Sequence, residues 1–179
     1  IGGCSDILYY PWGEGTDYLI LAGINITHSN SEVEKETVMG SSGNVYASSK
    51  NLYVAEQKYN YWWGWDGGNS DEEKTIIHKF NLGEDIKYQG DAEVPGSVLN
   101  QFSMDEHKDN FRIATTKGDV WNTSTPSTNN LYILNKDLKQ VGSVEGIAPG
   151  EQIHSVRFMG DRAYMVTFKK IDPFFVIDV

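Results

Sequence analysis

Three short stretches return in the same form along the chain: KNLYVAE at 50–56, DNFRIAT at 109–115 and DRAYMVT at 161–167. Each is an apolar run entered from a charged or amide turn. A second run follows each one, HKFN, YILN and FVID, ending at Asn81, Asn135 and Asp178. Asn and Asp close strands because their side chains hydrogen-bond the nearby backbone in a turn. Two of the three then continue as IKYQGDAEVPG and LKQVGSVEGIA, which put Gly90 and Gly142 at matching points. A weaker copy precedes them, LAGIN followed by VEKETVMG, ending at Gly40. The runs are rich in β-branched and aromatic residues and are separated by Gly, Asn, Asp and Ser, the pattern of strands rather than helices. Four short strands recurring with a period of roughly 40–55 residues predict the blades of a β-propeller, small twisted sheets packed face to face around an axis.

The repeat divides the chain into one all-β segment over 1–179, with a partial unit at 1–43, full units at 44–100 and 101–152, and a partial unit at 153–179. About three and a half four-stranded antiparallel sheets result. The third strand of each unit (TIIHKF, NLYIL, FFVI) is apolar on both faces, as a strand covered by neighbouring sheets must be. The fourth strands alternate with polar residues and are expected to be partly solvated. SEVEKETVM at 31–39 has strong helix formers but a thin apolar face, and is read as turn and strand. The smallest propellers use about four blades, so the segment is expected to be an arc of a larger propeller whose end faces favour association with a further copy. Alternatively, CSDILYYP at 4–11 supplies the missing strand of the last blade. A start at Ile1 rather than methionine is that expected of a processed protein or an excised piece.

Composition narrows the partners. Asp and Glu number 25 against 15 Lys and Arg, for a net charge of −10, and the basic residues are scattered. Nucleic acid and anionic membrane surfaces are therefore excluded as expected partners. No apolar run is long enough to span a bilayer, so no membrane insertion is expected, and no charged-then-apolar leader precedes Ile1. The single cysteine, Cys4, excludes an internal disulfide and reads as a small buried apolar residue. The four histidines, His28, His78, His107 and His154, show no short metal-binding spacing. His78 and His154 sit inside strand patterns and are expected to be packed or hydrogen-bonded. His107, in MDEHKD at 104–109, reads as part of a polar hairpin turn. DGGNSDEE at 66–73 offers Asp66, Asn69, Asp71, Glu72 and Glu73 as oxygen ligands but lacks the spacing of a calcium-binding loop, and reads as a solvated acidic turn. No G-x-S-x-G, Walker or dinucleotide fingerprint is present. No catalytic, metal or cofactor residue is assigned.

Several segments, CSDILYYP, ASSKNLYVAE, TIIHKFNL, VPGSVLNQFSMDE, IHSVRFMGDRAYMVTF and PFFVIDV, together resemble secreted bacterial and archaeal proteins with a C-terminal β-propeller distantly related to WD repeats. The resemblance implies a propeller fold and a secreted or cell-surface setting. It carries over no catalytic residues, and members of that family are considerably longer than this chain.

The candidate site is the aromatic stretch YNYWWGWDGG at 59–68. It falls between the second and third strands of a unit, where the next unit carries a long loop with Trp121 and the last carries only KKIDP. Long connections of this kind tend to be functional or disordered, and disordered segments are poor in aromatics. Tyr61, Trp63 and Trp65, spaced by two, line one face of an extended segment and offer flat apolar surface to a sugar ring or a peptide. Trp62 faces the other way. The competing reading is a structural clasp, with the rings packed over the end of the core. Three functions are consistent with these residues: a non-enzymatic binding or scaffold module holding a protein or glycan, which is the favoured reading; a polysaccharide-acting enzyme; and a structural domain docking within its own full-length protein.

Overall fold

The computed structural model describes residues 7–8, 18–27, 32–40, 43–58, 73–83, 85–169 and 173–179. Its strands are β1 (Ile7–Leu8), β2 (Tyr18–Gly23), β3 (Glu34–Met39), β4 (Asn44–Ala47), β5 (Asn51–Lys58), β6 (Lys74–Leu82), β7 (Ile86–Pro95), β8 (Met104–His107), β9 (Asn110–Lys117), β10 (Thr128–Leu134), β11 (Gln140–Ile147), β12 (Gln152–Met159), β13 (Arg162–Phe168) and β14 (Phe174–Asp178). One 3-10 turn, Gln101–Ser103, precedes β8. The strands form four sheets in the orders β1-β3-β2, β4-β5-β6-β7, β8-β9-β10-β11 and β12-β13-β14. The two complete sheets are four-stranded antiparallel meanders, as the repeat predicts. The 31–39 segment supplies β3, so its strand reading holds at 34–39.

The matched glycines mark a shared irregularity. In β7 the pairing runs Lys79↔Gly90 and then Phe80↔Tyr88, leaving Gln89 as an extra residue. In β11 it runs Ile133↔Gly142 and then Leu134↔Gln140, leaving Val141 extra. A bulge of this kind bends the strand and increases its local twist. Each outer strand is bent at the same point, immediately before the glycine that the sequence alignment picks out.

Apolar residues alternate along each strand, and both sets are buried where a sheet has neighbours on both sides. Leu19, Leu21 and Val38 of the first sheet meet Leu52, Val54 and Phe80 of the second. Tyr53, Ala55, Ile77 and Val94 on the opposite side of that sheet meet Phe111, Ile113, Tyr132 and Leu134 of the third, with Tyr53 stacked on Phe111 at a ring separation of 4.1 Å. Ala114 of the third sheet meets Ile153, Val156 and Met165 of the fourth. The third strands β6 and β10 are almost wholly buried. β14 departs from the expected pattern, since only Phe175 and Ile177 face a seam while Phe174 and Val176 face outward. Of the outer strands, β11 is largely solvated and β7 partly so.

Polar groups join the sheets at their ends. Ser97 and Thr116 exchange both backbone hydrogen bonds across the second seam, at 2.8 and 2.9 Å, while the Thr75 and Thr115 hydroxyls donate to the carbonyls of Gly96 and Pro95. At the opposite ends, Lys50 in the β4–β5 turn pairs with Asp109 in the β8–β9 turn, and Lys108 in that turn pairs with Asp161 in the β12–β13 turn. The charges of the MDEHKD hairpin thus tie successive sheets together.

Two further expectations are corrected. Ile7 and Leu8, the described residues of CSDILYYP, pair in parallel with Thr37 and Val38 of β3 and so extend the first sheet, not the last. β3 offers these residues an open edge beside an apolar seam, and that is where their backbone groups are satisfied. His154 is exposed, 6.2 Å from the Phe168 ring, because its position in β12 points away from the third seam.

Gly96 tests the link between sheets. Its φ is +84°, and a Cβ there would lie 2.6 Å from the backbone oxygen of Thr116. Gly160 has φ +56° with nothing within 4 Å of the same position. Gly160→Ala should therefore cost only the left-handed strain of about 1–2 kcal/mol. Gly96→Ala should cost measurably more, because the Ser97–Thr116 bridge must also shift. Urea midpoints of the two variants compare the costs.

Candidate functional site

Tyr61, Trp62, Trp63 and Trp65 lie outside the described residues, as do Asp66, Asn69, Asp71, Glu72, Cys4 and His28. The strands that flank the aromatic stretch are described. β5 ends at Lys58, β6 begins at Lys74, and Gln57 donates to Glu73 at 2.7 Å across the base of the connection. The corresponding loop of the next sheet is described throughout. Its Trp121 is 82% exposed, with the Lys169 ammonium 5.7 Å from the ring centre and donating to the Val120 carbonyl. An indole is thus presented to solvent at the same end of the next sheet.

A second site emerges where the first strands of three sheets converge. β4, the 3-10 turn, β8 and β12 border a cleft of about 370 Å³ whose lining includes Tyr46, Phe102, Asp105, Arg157 and Phe158. First strands are paired on one edge only, and their alternating side chains project into the space between neighbouring sheets. Asn100 holds the turn by accepting the Phe102 N–H at 3.0 Å, which leaves the Phe102 ring half-exposed at the mouth. The Arg157 guanidinium lies 3.9 Å from that ring centre, a cation–π contact, and donates one hydrogen bond to the Val156 carbonyl. No carboxylate among the described residues pairs with Arg157.

The floor of the cleft is ionic and already satisfied. Asp105 accepts from Nε and Nη2 of Arg112, whose Nη1 donates to the Gly160 carbonyl at 2.7 Å and whose guanidinium lies 4.9 Å from the Phe158 ring centre. Arg112 is 3% exposed. Glu106, the next residue, faces the preceding sheet and accepts from Ser48 Oγ at 2.7 Å and Asn51 Nδ2 at 2.9 Å. Its backbone N–H donates to the Tyr46 hydroxyl. Burial pushes the Tyr46 phenol above its ordinary value; the Glu106 N–H opposes this and the nearby Asp105 and Glu106 carboxylates add to it. The cleft therefore combines a fixed ionic floor with aromatic walls and one outward-facing cation.

His78 is buried as expected, its Nε2 at 3.4 Å from Glu56 and its Nδ1 at 3.3 Å from the Tyr88 hydroxyl, which donates to Asp91. No group of three or more His, Cys, Asp or Glu able to hold a metal lies among the described residues. No described helix is long and apolar enough to cross a membrane.

Two ion pairs generate predictions. Asp105→Ala leaves a buried guanidinium with one carbonyl partner and should destabilise the fold by about 3–5 kcal/mol, measured by urea unfolding. The exposed Asp161 carboxyl is held below its ordinary 3.8 by the Lys108 hydrogen bond first and by His107 second. A depressed carboxyl stabilises the fold above its ordinary value, and that contribution disappears as pH falls from about 3.8 through the lower folded value. In an NMR titration the Asp161 midpoint should lie below 3.8 and move up toward it in Lys108→Ala.

The comparisons with known proteins bear on the fold. Over 108 residues, 60% of this chain, it is 48% identical to an uncharacterized protein of Methanocaldococcus jannaschii, of which the match covers 17%. Over 134 residues, 74% of this chain, it is 38% identical to an uncharacterized protein of Archaeoglobus fulgidus, of which the match covers 20%. The chain thus spans about a fifth or less of these relatives. No solved structure matches. A family described as "Beta propeller domain" matches residues 1–179, and together with the four stacked sheets this places the chain in the Beta propeller domain family.

Proposed function

We propose that this segment is a non-enzymatic binding module and that the cleft between its first strands holds a protein partner through a carboxylate-bearing segment. The observation that carries the reading is Arg157. It is stacked on an exposed aromatic ring, has no carboxylate partner among the described residues, and sits at the mouth of a cleft in a chain of net charge −10. Arginine and aromatic residues clustered in a concave site are typical binding hot spots. An incoming carboxylate gains a fork of charge-assisted hydrogen bonds there, while the Phe102 and Phe158 rings take the adjoining apolar groups. The binding reading is also favoured because Asp105, the carboxylate lining the cleft, is engaged by Arg112 rather than poised beside a second acid, as glycoside hydrolysis would need. The aromatic stretch with Tyr61, Trp62, Trp63 and Trp65 is part of the same proposal as an additional contact surface, as is the exposed Trp121 on the corresponding loop of the next sheet. So are the secreted or cell-surface setting and the distant kinship to WD repeats that the resemblance implies.

The test is retention of partners from cell-envelope extract by the immobilised chain, compared with Arg157→Ala and Phe102→Ala, alongside a glycan array containing acidic sugars. Both side chains are substantially exposed, so each variant should keep its fold. A retained protein whose Kd rises about tenfold in either variant supports the reading. Retention that neither substitution weakens contradicts the cleft assignment, and binding confined to the glycan array moves the ligand class to acidic sugars.

A further inference from the structure

The connection between β9 and β10 carries a sequence signature that neither the sheets nor the cleft use. Asn122-Thr123-Ser124 has the Asn-x-Ser/Thr spacing of an acceptor for N-linked sugar, with threonine rather than proline in the middle. Residues 121–126 are all exposed, as an acceptor must be to enter a transferring enzyme. The loop is nevertheless held in place. Asp119 and Pro126 bridge at its base. Asp119 accepts the Trp121 N–H through its side chain and the Asn122 N–H through its carbonyl, and Lys169 donates to the Val120 carbonyl. The triplet therefore lies on the solvent side of an anchored loop.

The atoms that the loop consumes separate a structural role from an acceptor role. Asn122 Oδ1 accepts the N–H groups of Ser124 at 3.0 Å and Thr125 at 3.1 Å, an Asx turn that aspartate would support as well. Among the described residues, neither Nδ2 of Asn122 nor the Ser124 hydroxyl makes a hydrogen bond. Those are the two groups an acceptor triplet requires: the amide nitrogen that receives the sugar and the hydroxyl two residues on. The turn thus explains Oδ1 of Asn122 and the backbone of Ser124, and gives no work to the other two groups. A second triplet, Asn25-Ile26-Thr27, differs in this respect. There the Thr27 hydroxyl donates to Asn25 Oδ1 at 2.7 Å beside the Thr27 N–H at 3.0 Å, so the turn itself employs the hydroxyl.

We propose that Asn122 is a modification site that carries an N-linked glycan. The donor is an oligosaccharide joined through phosphate or pyrophosphate to a lipid. Nδ2 of Asn122 forms a bond to the anomeric carbon of the first sugar, and the bond from that carbon to the phosphate oxygen breaks. The lipid phosphate or pyrophosphate leaves with the electron pair of that bond, and one Nδ2 proton passes to a base of the transferring enzyme. Only the nitrogen is substituted, so Oδ1 keeps its two hydrogen bonds and the Asx turn persists. No cleft residue takes part, and the site is independent of what the cleft binds. It rests on the secreted or cell-surface setting proposed above, because transfer from a lipid-linked donor takes place on the non-cytoplasmic side of a membrane.

Peptide mass spectrometry tests it on the protein recovered from its native cells, with the surface and secreted material separated from the cell interior. The peptide that holds Asn122 should carry sugar mass in the surface or secreted fraction, with fragment ions that retain the first sugar on Asn122. Asn122→Gln and Ser124→Ala should each abolish the sugar, and Ser124→Thr should keep it. Ser124→Ala removes no hydrogen bond of the loop, so its loss of sugar reads recognition rather than folding. Unmodified Asn122 in the surface or secreted fraction would overturn the proposal and leave the setting standing. An unmodified chain confined to the cell interior would overturn both. Sugar that persists in Ser124→Ala, or sugar found on Asn25 and not on Asn122, would likewise overturn the assignment.

Discussion

Burial of a sheet on both faces is the constraint on which the rest of the structure depends. A strand alternates its side chains between two faces, so a four-stranded sheet with apolar residues on both must be covered twice. β5 and β6 satisfy this by placing Leu52, Val54 and Phe80 against the first sheet and Tyr53, Ala55 and Ile77 against the third. No sheet holds a closed core of its own. Stability is therefore shared between neighbours, in the manner of repeat proteins whose units contact only adjacent units. The turns follow from this arrangement, since ion pairs such as Lys50–Asp109 and Lys108–Asp161 can form only when successive hairpins are stacked in register.

The same stacking creates the candidate site. First strands have one paired edge, and three of them approach one another only after the seams behind them have formed. Arg112 shows the connection most clearly. It occupies a seam position on β9, yet its guanidinium fixes Asp105 in the cleft and the Gly160 carbonyl of the next hairpin. A packing residue of one sheet thus positions the floor of a site shared by several. Arg157 and Phe102 stand on that floor with their outer surfaces open, which is the arrangement a binding surface requires and an interior seam does not.

Much of the fold was readable because the repeat is written in residue types with local consequences. Asn81 and Asn135 both accept backbone N–H groups at the ends of third strands, and Gly90 and Gly142 mark equivalent bulges. The strand character of 34–39 was also readable, from its thin apolar face. The position of Ile7–Leu8 was not, because parallel pairing with β3 leaves no turn or spacing signal. His154 misled for a related reason: a strand pattern shows alternation without saying which set faces the seam. The cleft was least accessible of all. Tyr46, Phe102 and Arg157 are each more than fifty residues from the next along the chain, and each reads locally as an ordinary strand or turn residue. The exposed Arg–aromatic pairing that distinguishes them exists only after three sheets are stacked.

Native-state hydrogen exchange on β10 and β13 tests the central claim most directly. Both strands are paired on both edges, β10 with β9 and β11, β13 with β12 and β14, but only β10 has a sheet over each face within one copy. Measured at a dilution where the chain is a single copy, amides of β10 should exchange only through global unfolding, while those of β13 should exchange through a smaller, sub-global opening of the fourth sheet. Equal protection of the two strands would show that ladder hydrogen bonding, rather than burial of both faces, sets the stability of the sheets, and would contradict this account.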